Sequence, residues 1–140
     1  MIKEIISLDD LITASGSYPE RRNSLELTDE VIANLIILKD KVNAMLTDLG
    51  IPGAKISSGF RPSSVNSAIN NAAKLSAHMT GEACDIIDDS NQNLAKTVTK
   101  SVLEKHDLYR EDYDFTKGKV TNWCHVQTRK TRSGNRIFKP

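Results

Sequence analysis

Apolar residues recur at helical spacing through one long stretch of the chain, at Val31, Ile32, Leu35, Leu38, Val42, Met45, Leu46 and Leu49. With Thr28 as N-cap, Asp29 and Glu30 in the first turn and Gly50 as the stop, the pattern predicts a helix over residues 28–49. A second stripe of Leu94, Val98, Val102 and Leu103 predicts a helix over 91–107, and Pro62 followed by Val65, Asn66 and Ile69 fits a short one between them. Three runs read as strands: residues 54–58 ending at Gly59, the compact apolar run Ala83-Cys84-Asp85-Ile86-Ile87, and residues 121–128 with their aromatic and β-branched content. Residues 9–27, rich in Ser, Gly, Pro and Arg, follow neither period and read as an extended arm, so that 1–27 lies over the domain. Residues 109–119 read as charged and turn-like. Arg129, Lys130, Arg132, Arg136 and Lys139 make 129–140 a basic tail, either solvated or touching an acidic partner. The expectation is a single α+β domain over 1–140, with a small, mainly antiparallel sheet packed against two main helices.

Composition narrows the classes. At 140 residues the chain is long enough to close one core and too short for two full domains. Lys plus Arg is 19 against 18 Asp plus Glu, so bulk charge offers no attraction to nucleic acid or lipid, and neither is expected as a partner. Two cysteines are too few for a disulfide scaffold or an all-thiolate zinc site. Acids at Glu4, Asp9 and Asp10 stand where a signal peptide carries its apolar core, so the chain is expected to be cytoplasmic as synthesised.

Candidate chemistry gathers around His78 and Asp85, seven residues apart in Ser76-Ala77-His78-Met79-Thr80-Gly81-Glu82-Ala83-Cys84-Asp85. A loop imidazole and a strand carboxylate can converge on one cation, because Gly81 permits a tight turn and Ala83 a close approach. For a third ligand there are His106, on a polar helix end, and His125, on the last predicted strand, where pairing in a sheet can bring it beside Asp85. Two histidines, one carboxylate and an open position form a catalytic zinc set. The spacing equally admits a turn-capping His78, a paired Asp85 and a satisfied sheet histidine at 125. Cys84 and Cys124 each precede a candidate ligand, so alternation turns them to the opposite face as buried thiols, or as a disulfide if the two strands are neighbours.

The ordered set Ser58-Gly59-Phe60-Arg61, then Asn66, then Ser76-x-His78-x-x-Gly81-x-Ala83-x-Asp85-Ile86, then Trp123-x-His125-Val126 resembles the zinc D-Ala-D-Ala carboxypeptidase and L-alanyl-D-glutamate endopeptidase family, peptidase family M15. Its short bacteriophage and bacterial members are the most similar, over roughly residues 27–128. The resemblance implies a hedgehog/D-Ala-D-Ala peptidase-like fold, a Zn2+ cofactor on His78, Asp85 and His125, and Arg61 and Ser76 as the residues that hold substrate and developing oxyanion. Either can instead be structural, Arg61 paired in the sheet and Ser76 a plain cap. The implied substrate is the peptide stem of peptidoglycan, cut by an endolysin or wall-processing enzyme after release from the cell, or in a phage particle. Phe60 and Trp123 read as walls of a cleft. One position departs from the pattern. The familiar carboxypeptidases carry a glutamate base three residues before the last histidine, where this chain has Asn122, which accepts no proton. The base is then another acid, with Glu111, Asp112 and Asp114 nearest in sequence and Glu82 an outsider, or else the chain is a zinc-containing structural or wall-binding protein that has lost catalysis.

Overall fold

The computed structural model describes residues 1–13, 19–69 and 72–140. It is an α+β fold. Helices α1 (Leu8–Thr13), α2 (Asp29–Asp48), α3 (Ser63–Ala68), α4 (Asn93–Thr97) and α5 (Lys100–His106) accompany strands β1 (Ile56–Ser58), β2 (Ala83–Asp88), β3 (Tyr109–Glu111), β4 (Asn122–Gln127) and β5 (Ile137–Phe138). The sheet runs β1-β2-β4-β3-β5, antiparallel throughout except where β3 and β5 pair in parallel. Among the described residues no helix is long and apolar enough to cross a membrane.

Local chemistry accounts for α2. Thr28 Oγ1 accepts the Val31 N–H at 3.2 Å, Asp29 and Glu30 complement the helix dipole, and Gly50 takes the left-handed conformation that ends the run. Its buried face, Leu35, Leu38, Val42, Met45 and Leu46, packs in one core with Cys84, Ile86, Cys124 and Val126 of the sheet. Alternation along β2 and β4 thus gives the even-numbered positions to the core and leaves Asp85, Trp123, His125 and Gln127 to the other face. Cys84 and Cys124 are free, buried thiols, and burial pushes the Cys124 thiol up to about 12.

Four expectations are corrected. The helix anticipated over 91–107 is two helices: Thr99 caps α5 through Val102 N–H, and the Val98 carbonyl freed at the break accepts Arg110 Nε at 3.0 Å. Part of the predicted arm is folded, since α1 buries Leu11 and Ile12 in the core and a 3-10 turn covers Pro19–Asn23; residues 14–18 of that arm lie outside the described residues. The charged segment after 108 holds β3, with Tyr109 and Arg110 buried. The basic tail returns to the sheet as β5, where Arg110 N–H donates to Arg136 O and Asp112 N–H to Phe138 O, both at 2.7 Å.

Candidate metal centre

Three elements bring the candidate ligands together. The turn that follows Ser76 carries His78: Ser76 Oγ accepts His78 N–H at 3.2 Å, a 3-10 turn spans Ala77–Thr80, and Gly81 closes it with φ +76°. A side chain at 81 would meet Val31 O at 2.6 Å, so the turn sits directly on α2. Asp85 and His125 face each other across β2 and β4 as register partners. One ligand atom from each of His78, Asp85 and His125 lies within 4.8 Å of the others, and all three side chains are almost fully buried. His106 lies elsewhere, with Nε2 3.1 Å from Asp48.

The proton inventory of this group follows from its outer partners. His78 Nδ1 sits 2.9 Å from the Gly59 carbonyl, which can only accept, so Nδ1 carries the hydrogen and Nε2 is bare toward Asp85 Oδ1 at 3.3 Å. Gln127 donates its amide to Arg129 O at 2.9 Å, which turns Oε1 toward His125 Nε2 at 2.7 Å. That oxygen again only accepts, so His125 Nε2 carries the hydrogen and Nδ1 is bare, 2.9 Å from the same Asp85 oxygen. Arg61 Nη2 holds the other carboxylate oxygen at 3.2 Å. Two imidazole lone pairs and one carboxylate oxygen therefore converge with no hydrogen between them. The donor set fits a divalent metal such as zinc, with each histidine oriented by a hydrogen bond on its far nitrogen.

Charge within the cluster points the same way. Burial disfavours the Asp85 carboxylate, but the facing His78 and His125 outweigh it and hold the group well below the usual carboxyl range. His78 is pushed down by burial; His125 is pushed down by burial too but raised on balance by its bond to Asp85 and that group's charge.

A cavity of about 670 Å³, within the range of ligand sites, opens over the cluster. Arg61, Ser76, Trp123, Phe138 and Glu111 line it with the ligands. Arg61 both pairs with Asp85 and donates Nε to Ser58 Oγ at 3.0 Å. Of the anticipated acids, Glu111 lies in the wall, and burial raises its carboxyl above the ordinary value. Asp112 instead accepts the Asp114 N–H at 3.0 Å, Asp114 is exposed 3.8 Å from Lys117, and Glu82 pairs with Arg129 at 3.2 Å. Phe60 is fully buried in the core rather than a cleft wall. Asn122 donates to Asp89 O at 3.1 Å and accepts Gly118 N–H at 3.2 Å, which ties it to two loops, and it is not among the residues that line the cavity.

Gln127 and Phe138 escaped the sequence reading. Alternation from His125 would have pointed to Gln127, two residues on and on the same face; nothing local marks Phe138, which arrives on β5 with its ring centroid 5.9 Å from that of His125. Gln127→Leu is expected to weaken metal binding by about 10- to 100-fold while leaving all three ligands in place. A competition titration with a chromophoric chelator measures it, and unchanged affinity would show that Gln127 does not set the His125 tautomer.

The model of the peptidase M15 family matches residues 19–127, more than three quarters of the chain, and the stretch contains every candidate ligand. No curated protein and no solved structure matches.

Proposed function

The chain belongs to the peptidase M15 family, and we propose that it is a zinc-dependent peptidase that cuts the peptide stems of peptidoglycan, as a D-Ala-D-Ala carboxypeptidase or an L-Ala-D-Glu endopeptidase. The observation that carries this reading is the convergence of His78 Nε2, Asp85 Oδ1 and His125 Nδ1 as bare acceptors under an open cavity. Zinc held by these three atoms would acidify a water and polarise the scissile carbonyl. The chain's own residues do the rest. Arg61, fixed at two points by Asp85 and Ser58, presents its guanidinium to a substrate carboxylate or to the oxygen that gains charge. Ser76 accepts the His78 amide with its oxygen, which leaves its hydroxyl hydrogen for the peptide backbone. Trp123 and Phe138 supply apolar walls that exclude water from the peptide. In this reading the protein reaches the wall after release from the cell, or in a phage particle.

The test is the zinc content of the purified protein together with mass spectrometry of muropeptides before and after incubation, with and without EDTA. One zinc per chain and EDTA-sensitive cleavage are expected, and the new termini name the bond. One zinc with intact muropeptides would overturn catalysis in favour of a wall-binding or structural role.

A further inference from the structure

We propose that Glu111 is the catalytic carboxylate of this site, the group that takes a proton from the attacking water and delivers it to the leaving nitrogen. The proposal rests on the peptidase reading above and answers where the base lies when position 122 holds asparagine. Sheet register carries it. Ser58 pairs with Asp85, Asp85 with His125, and Glu111 with Phe138. β3 and β4 pair Tyr109 with Gln127 and Arg110 with Val126, so one step further sets Glu111 opposite His125. Residues directly opposite in a sheet send their side chains to the same face. Ser58, Asp85, His125, Glu111 and Phe138 therefore form one transverse row across all five strands, with two of the candidate ligands, Asp85 and His125, inside it and Glu111 next to His125.

Glu111 is also chemically available. Among the described residues, Asp85 and Glu111 are the two acidic side chains in the cavity wall, and Asp85 is held by Arg61 and both histidines. The Glu111 carboxylate has no hydrogen bond or ion pair among the described residues, and the residue lines the cavity. Asp112, Asp114 and Glu82 are not among the residues that line the cavity, and each has a hydrogen-bond or ion-pair partner.

The step balances with the water alone. Glu111 takes one proton as the water oxygen bonds to the carbonyl carbon, and returns it to the amide nitrogen as the C–N bond breaks. The second proton leaves from the new carboxyl group. The products are a carboxylate and an amine, and Glu111 ends ionised as it began.

The experiment compares the full-length protein with Glu111→Gln on muropeptides, measuring kcat, KM, zinc stoichiometry and melting temperature. Expected are a fall in kcat of about 10²- to 10⁴-fold, KM within a few-fold, and zinc and melting unchanged. A glutamine variant that keeps more than a tenth of the wild-type kcat overturns the proposal. Should that variant lose its zinc or its fold, Glu111→Ala with added formate decides: turnover restored by the exogenous carboxylate supports the role, and none restored overturns it. If the wild type cuts nothing, the peptidase reading fails and takes this proposal with it, a result distinct from a wild type and a variant that both cut.

Discussion

Replacing His78 by alanine is expected to abolish stoichiometric zinc binding and, with it, all cleavage, while the fold survives. Three ligands are the least that a catalytic zinc site uses, and removing one leaves an acid and a single imidazole. Two of the bonds that hold the turn do not involve the ring. Arg61 N–H bonds to the His78 carbonyl at 3.1 Å and Ser76 Oγ caps the His78 amide, and both are main-chain features that alanine keeps. The decisive readout is ligand-dependent stability. A metal that binds only the folded state stabilises it by about 4 kcal/mol at a thousand times its Kd, so the wild type should melt higher with added zinc. His78→Ala should melt at one temperature with and without zinc, and elemental analysis should find no bound metal. A variant that still holds one zinc per chain would mean that the metal sits elsewhere.

How much of this was legible in the sequence depends on whether local chemistry or distant packing sets each element. α2 declared itself, because its cap, its acidic first turn, its apolar stripe and its stop all lie within the segment. β2 and β4 were legible for the same reason, and period-two alternation correctly separated the core-facing cysteines from Asp85 and His125. β3 was hidden because Arg110 reads as surface, yet its guanidinium donates to Val98 O and Glu111 O inside the fold. α1 was hidden in a polar stretch, its Leu11 and Ile12 too few to show a period. The clustering of His78, Asp85 and His125 was legible, but the acid beside them was not. Glu111, Asp112 and Asp114 are indistinguishable as letters; only the register of β3 against β4 puts the first in the cleft and leaves the others in the turn. Asn122 shows the converse: a position that family pattern marks as chemical is here a pin between the Asp89 carbonyl and the Gly118 amide.

Gly59→Ala is expected to destabilise the fold by about 3 kcal/mol and to weaken zinc binding without touching a ligand. A methyl group at 59 would lie 2.1 Å from the Leu11 carbonyl oxygen and within 2.9 Å of two more backbone atoms of that residue. These are main-chain atoms of α1, locked in turn by the Phe60 N–H bond to Leu11 O at 2.7 Å, so no side-chain rotation relieves the clash. Either α1 lifts from the core, exposing Leu11 and Ile12, or the end of β1 moves. In the second case the Gly59 carbonyl, which holds His78 Nδ1–H at 2.9 Å, moves with it and the bare Nε2 loses its aim at Asp85. Close backbone packing, rather than an unusual φ, is thus why a glycine stands between the strand and Arg61. Gly53→Ala is the control, since nothing lies within 4 Å of a methyl there, and its stability should stay within about 0.5 kcal/mol of wild type. Urea unfolding of the metal-free proteins, paired with zinc competition titrations, checks both effects. Wild-type stability in Gly59→Ala would show that α1 does not bear on the strand end. Lost stability with undiminished zinc affinity would show that α1 yields while the His78 anchor holds.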